Sequence, residues 1–163
     1  MPALFSQHQL DEDALYLGVL TARQVKPLSR LEYPVEIPIL DLLRDWGLTL
    51  APVTRFAQDG TRCHHLVFST QPALLATYCA EFDGARLDET SAVIRAEARY
   101  FGYPPCCAES FIRVPHAPNG LAVEEQGLLF HHACPGCRVT RELIPLYRAA
   151  LAVARQYHEP MSR

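Results

Sequence analysis

The chain has 163 residues, 49% of them hydrophobic and 20% charged, a composition that excludes a fibrous or disordered polypeptide and suits one domain with a real core. Eighteen acids against fifteen bases leave a formal charge of −3, which argues against general nucleic-acid binding. No stretch approaches the roughly 20 apolar residues of a membrane-spanning helix, and Met1-Pro2-Ala3-Leu4-Phe5 lacks the basic start of a secretion signal, so a cytoplasmic protein away from membranes is expected.

The apolar run Ala14–Leu20 follows Asp11-Glu12-Asp13 and, being short, reads as a buried strand. Pro27, Pro34 and Pro38 punctuate the next stretch, where Tyr33, Val35 and Ile37 alternate as in an edge strand that tolerates proline. Residues 39–46 show helical spacing and stop at Gly47, a residue suited to a left-handed cap. Two strands follow at 48–53 and 62–69, joined through Gln58-Asp59-Gly60 as a hairpin.

From Thr70 the pattern becomes helical. One helix is expected to reach Phe82, with Pro72 in its first turn, and a second to run from Thr90 or Ser91 to Gly102. Pro105 at a first helical position would begin a third, ending near Arg113, and Val114–Gly120 reads as loop. In the last helix Val139, Leu143, Leu146, Tyr147, Ala150, Ala154 and Tyr157 form one apolar stripe, with Pro145 expected to kink it. Arg141, Arg148 and Arg155 recur seven apart and read as a solvated basic face. The fold class is therefore α+β: a single domain over 1–163, with a small sheet in residues 1–69 packed on a mainly helical part, 70–163.

Four of the six cysteines fall in that second part as two close pairs, Cys106-Cys107 and Cys134-Pro135-Gly136-Cys137. In a reducing cytoplasm such pairs are more often metal ligands or redox thiols than permanent disulfides. A helix start, with Cys134 as cap and Pro135 first, would bring Cys134 and Cys137 to one side, and the unpaired N–H groups there favour thiolate. With Cys106 and Cys107 they make four thiolates, enough for zinc or an iron–sulfur cluster. Adjacent helical residues diverge by about 100°, so both of that pair ligate one centre only if the backbone is irregular. Otherwise Cys106 is a packed or resolving thiol, and His131 or His132 supplies the fourth ligand.

A dithiol is the rival reading: Cys134 and Cys137 have the Cys-x-x-Cys spacing of thiol–disulfide oxidoreductases, although Pro-Gly reverses the thioredoxin order. Free cysteines also simply pack in cores. A third function class is a partner-binding module with a purely structural metal, the partner unspecified. Cys63, His64 and His65 fit a strand edge better than a ligand set, and Cys79 fits the core. Glu97, Glu109, Glu124 and Glu125 flank the cysteines, with surface or capping roles as the default over acid–base chemistry.

The run Tyr100-Phe101-Gly102-Tyr103-Pro104-Pro105-Cys106-Cys107, with Phe111 beyond it, resembles a small prokaryotic family of unknown function marked by Gly-Tyr-Pro-x-Cys-Cys ahead of an aromatic residue. The later Cys-Pro-x-Cys looks like part of the same pattern. The resemblance implies no reaction; it implies that Cys106, Cys107, Cys134 and Cys137 matter.

Overall fold

The computed structural model describes residues 11–158, so the pentapeptide that bears on a secretion signal lies outside the described residues. Within them the run at 14–20 is helical, not extended. Asp11 caps α1 (Glu12–Ala22), its carboxylate accepting from the Ala14 N–H at 2.8 Å, with Glu12 and Asp13 in the first turn. The helix is buried on opposite sides. Leu15, Tyr16, Val19 and Leu20 meet Tyr147, Ala150 and Ala154, whereas Ala14 and Leu17 meet Leu31, Ile39, Leu43 and Phe68. A helix that is apolar all round lacks the 3.6-residue alternation by which helices are recognised, which is why its sequence reads as a strand.

A three-stranded antiparallel sheet follows, ordered β1-β3-β2, from β1 (Ser29–Leu31), β2 (Thr49–Phe56) and β3 (Arg62–Ser69). The hairpin is as expected, pairing Thr49 with Ser69 through Phe56 with Arg62. The edge strand is not: β1 lies before Tyr33 and pairs Ser29 with Phe68, while Ile37 opens α2 (Ile37–Asp45). Pro34 and Pro38 sit in the connection and the helix start, where no ladder N–H is required.

Val67 and Phe68, consecutive on β3, point to opposite faces. Phe68 faces α1 and α2; Val67 and Val53 face α3 (Pro72–Phe82) and α4 (Ser91–Phe101) through Leu75, Tyr78, Phe82, Ala96 and Tyr100. The sheet is thus covered on both sides, with the remaining helices α5 (Pro105–Arg113), α6 (Val123–Gln126) and α7 (Arg138–His158) belonging to the C-terminal half. Beneath α4, Glu97 accepts from Arg55 at 2.6 Å and Arg30 at 2.8 Å, an internal ion-pair anchor tying sheet to helix. Glu109 pairs with Arg95, and Glu125 accepts from the Ala122 N–H at the start of α6, in keeping with surface and capping roles.

The stripe expected on α7 is rotated. The buried positions are Thr140, Ile144, Tyr147, Ala150 and Ala154, whereas Val139, Leu146 and Tyr157 are exposed. The helix packs chiefly along α1, so it buries one narrow row and leaves the flanking apolar residues outside. It runs through Pro145 as one element. No helix among the described residues is long and apolar enough to cross a membrane.

Candidate metal centre

The first cysteine pair is delivered by a sharp change of chain direction. Gly102 ends α4 in the left-handed region (φ +73°), and a Cβ there would lie 2.6 Å from Cδ of Pro27. Glycine meets both demands, positive φ and the close approach of the segment after α1. Pro104 is extended, and Pro105 takes the first position of α5 as expected. Cys106 and Cys107 follow in that first turn, Cys107 buried and Cys106 exposed.

The second pair is held by side-chain amides. Gln126 donates to the His131 carbonyl at 2.8 Å and accepts from the Ala133 N–H; Asn119 donates to Gln126 at 2.8 Å and to the Ala133 carbonyl at 3.1 Å. Residues 134–137 do not begin a helix. They form a tight turn in which the Cys137 N–H donates to the Cys134 carbonyl at 3.2 Å and Gly136 has φ +68°. Proline then glycine at the two central positions is the order a type II turn requires. The helix starts one residue later, with Cys137 at its cap: the Thr140 N–H donates to Cys137 Sγ at 3.4 Å.

These two arrivals bring all four sulfurs within 4.8 Å of one another. Cys137 Sγ lies 3.6 Å from that of Cys106 and 3.5 Å from that of Cys107. Tetrahedral coordination with metal–sulfur bonds of about 2.3 Å sets sulfurs about 3.8 Å apart, so the spacing is that of ligands around one ion. No irregularity in α5 is needed for both adjacent cysteines to converge, because Cys137 meets them at the open end of the helix rather than on its side.

Local donors favour thiolate at this centre, and burial opposes it. The Cys134 N–H donates to Cys107 Sγ at 3.3 Å, the Thr140 hydroxyl is 3.5 Å from the same sulfur, and Cys106, Cys107 and Cys137 sit at helix N-termini, with Cys134 in the turn before α7. At Cys137 burial pushes the thiol up, but the Thr140 hydroxyl and N–H and the neighbouring Cys107 and Cys106 outweigh it and bring it down to about 7. Burial holds the Cys107 thiol above its ordinary value. Burial and then the nearby sulfurs of Cys106 and Cys107 raise Cys134. Four crowded sulfurs resist joint ionisation unless a cation lies between them.

Neither histidine joins the set. His131 Nε2 is 3.0 Å from the Thr140 hydroxyl, and burial, then Lys26 and His132, lower its pKa to about 4, leaving the ring neutral. His132 Nε2 lies 2.6 Å from the Ala117 carbonyl. Thr140 is the residue that sequence reasoning misses: wholly buried, it touches Cys107, Cys137 and His131 at once. Its only sequence mark is its place three residues after a cysteine at a helix start. Cys63, whose thiol faces the Thr61 carbonyl, and His64, bonded to Thr54, stand apart from the centre, and Cys79 packs against the aromatic cluster of α3 and α4. Beside Cys107 a cavity of about 350 Å³ is lined by Tyr103, Phe111, His116, Phe130 and His131. No family model matches this chain, and neither a curated protein nor a solved structure does.

Proposed function

We propose that this is a metal-binding protein that holds a single zinc ion through Cys106, Cys107, Cys134 and Cys137, and that the ion clips the start of α5 to the start of α7. The observation that carries this reading is the convergence of four thiol sulfurs within 4.8 Å. An iron–sulfur cluster distributes its thiolates over more than one iron and so spreads them more widely than a lone ion does, which favours zinc. Four thiolates fill a tetrahedral shell, so the ion is structural and leaves no coordination position for substrate. The resemblance of residues 100–107 to the Gly-Tyr-Pro-x-Cys-Cys pattern fits the same assignment, since Gly102 and Pro105 are what aim the cysteine pair. A reducing compartment such as the cytoplasm is the setting in which such a centre persists.

The dithiol reading has one observation in its favour, the lowered Cys137 thiol. That sulfur is buried, however, while exchange with another protein needs an exposed attacking thiolate. Replacing Cys107 or Cys134 by serine, with zinc content and melting temperature as readouts, tests the assignment. Loss of the metal with a fall in melting temperature is expected; undiminished zinc with unchanged melting would reject these cysteines as ligands.

A further inference from the structure

Lys26, the chain's single lysine, is 1% exposed and has no carboxylate within salt-bridge distance among the described residues. Its Nζ donates to the Phe101 carbonyl at 2.9 Å and otherwise faces aromatic rings, those of Tyr103, Phe101 and Phe130 at 4.5, 5.6 and 5.7 Å. Capping the end of α4 accounts for one of the three ammonium donors, and a structural lysine at this depth is ordinarily ion-paired. Lys26 also lines a second cavity of about 350 Å³, shared with Asp13, Arg30, Glu32, Tyr33 and Phe130. Burial first, and the Arg30 guanidinium second, lower its pKa to about 7. Desolvation and a neighbouring cation are the two means by which a lysine becomes a nucleophile at neutral pH.

We propose that Lys26 is a nucleophilic amine that condenses with an uncharged aldehyde or ketone bound in this cavity. The nitrogen lone pair attacks the carbonyl carbon; the two amine hydrogens and the carbonyl oxygen leave as water, and a C=N bond replaces C=O, so no oxidant or reductant is needed. Protonated by solvent, the imine would stand over the Tyr103 ring, which stabilises a cation. The ligand class follows from the walls: Phe101, Tyr103 and Phe130 suit an apolar body, Arg30 is already paired with Glu97 and Glu32, and Asp13 and Glu32 repel an anion. This inference is independent of the metal assignment and survives its failure.

The test is reductive trapping on the full chain: benzaldehyde and cyanoborohydride at pH 7, with Nα-acetyl-lysine in the same tube as reference amine and peptide mapping as readout. Lys26 should be alkylated at least about tenfold faster than the reference, and faster by benzaldehyde than by glyoxylate. Labelling no faster than the reference, or only in denaturant, would overturn the proposal, and preference for glyoxylate would overturn the ligand class. Mapping the unaltered chain requires no variant to fold.

Discussion

Replacing Thr140 by valine removes one oxygen atom from the interior and leaves the backbone N–H to Cys137 in place. That hydroxyl lies 3.5 Å from Cys107 Sγ and 3.0 Å from His131 Nε2. When Cys107 is a thiolate the hydroxyl donates to it and accepts from the histidine N–H, so valine strips a donor from the sulfur and strands the imidazole. The other ring nitrogen of His131 is already buried without a partner, so none would remain. An unsatisfied buried polar group costs about 1–3 kcal/mol, and loss of a group that supports a metal ligand typically weakens binding about 10–100-fold. The two figures agree, because a hundredfold is about 2.7 kcal/mol. Competition for zinc against a chromophoric chelator at pH 7 measures the ratio of affinities, with circular dichroism confirming the fold. Serine at the same position should recover most of the loss. A valine variant that binds zinc as tightly as the parent would refute the relay from Cys107 through Thr140 to His131.

Gly102→Ala should destabilise the protein by about 2–5 kcal/mol, from about 1–2 for a left-handed non-glycine residue and about 1–3 for the 2.6 Å approach of Pro27, readable by urea titration. Gly18→Ala, which sets a methyl against Leu43 and Trp46 between α1 and α2, should cost about 1–3 kcal/mol in the same assay without changing zinc affinity. Cys63→Ser and Cys79→Ser should leave the metal-to-protein ratio as it was, since neither sulfur belongs to the cluster; a fall in that ratio would widen the ligand set. Lys26 has a folded pKa of about 7 against an ordinary 10.5, so between these values the unfolded chain binds the extra proton and stability rises with pH. The slope, up to about 1.4 kcal/mol per pH unit, should be absent from Lys26→Met when both are titrated with urea between pH 7 and 10.

What was legible in the sequence depended on local chemistry. Thr90 before Val93, Gly102 at a helix end, Pro105 at a helix start and the turn residues of the hairpin each act within a few positions, and each element they announce is where it was expected. The four cysteines were visible for the same reason: spacing within each pair is local, and the chemistry of thiols supplied the link between pairs. Tertiary burial was not legible. The helix α1 hides behind a run with no polar face because four neighbouring elements cover it, and β1 is too short and too mixed, Ser-Arg-Leu, to announce itself without its partner β3. The turn at 134–137 looks like a helix start in the sequence because proline suits both, and the glycine after it, with φ +68°, decides for the turn. Thr140 and Lys26 owe their importance to residues 33 and 75 positions away, contacts that no window along the chain contains.

The central claim, one metal ion in a complete shell of cysteine sulfur, is tested most directly by elemental analysis and zinc-edge X-ray absorption on protein purified without oxygen or chelator. A colourless protein with one zinc per chain and four sulfur scatterers at about 2.3 Å is expected. Iron with a visible chromophore, a nitrogen or oxygen ligand in the first shell, or four freely titrating thiols and no metal would each contradict it.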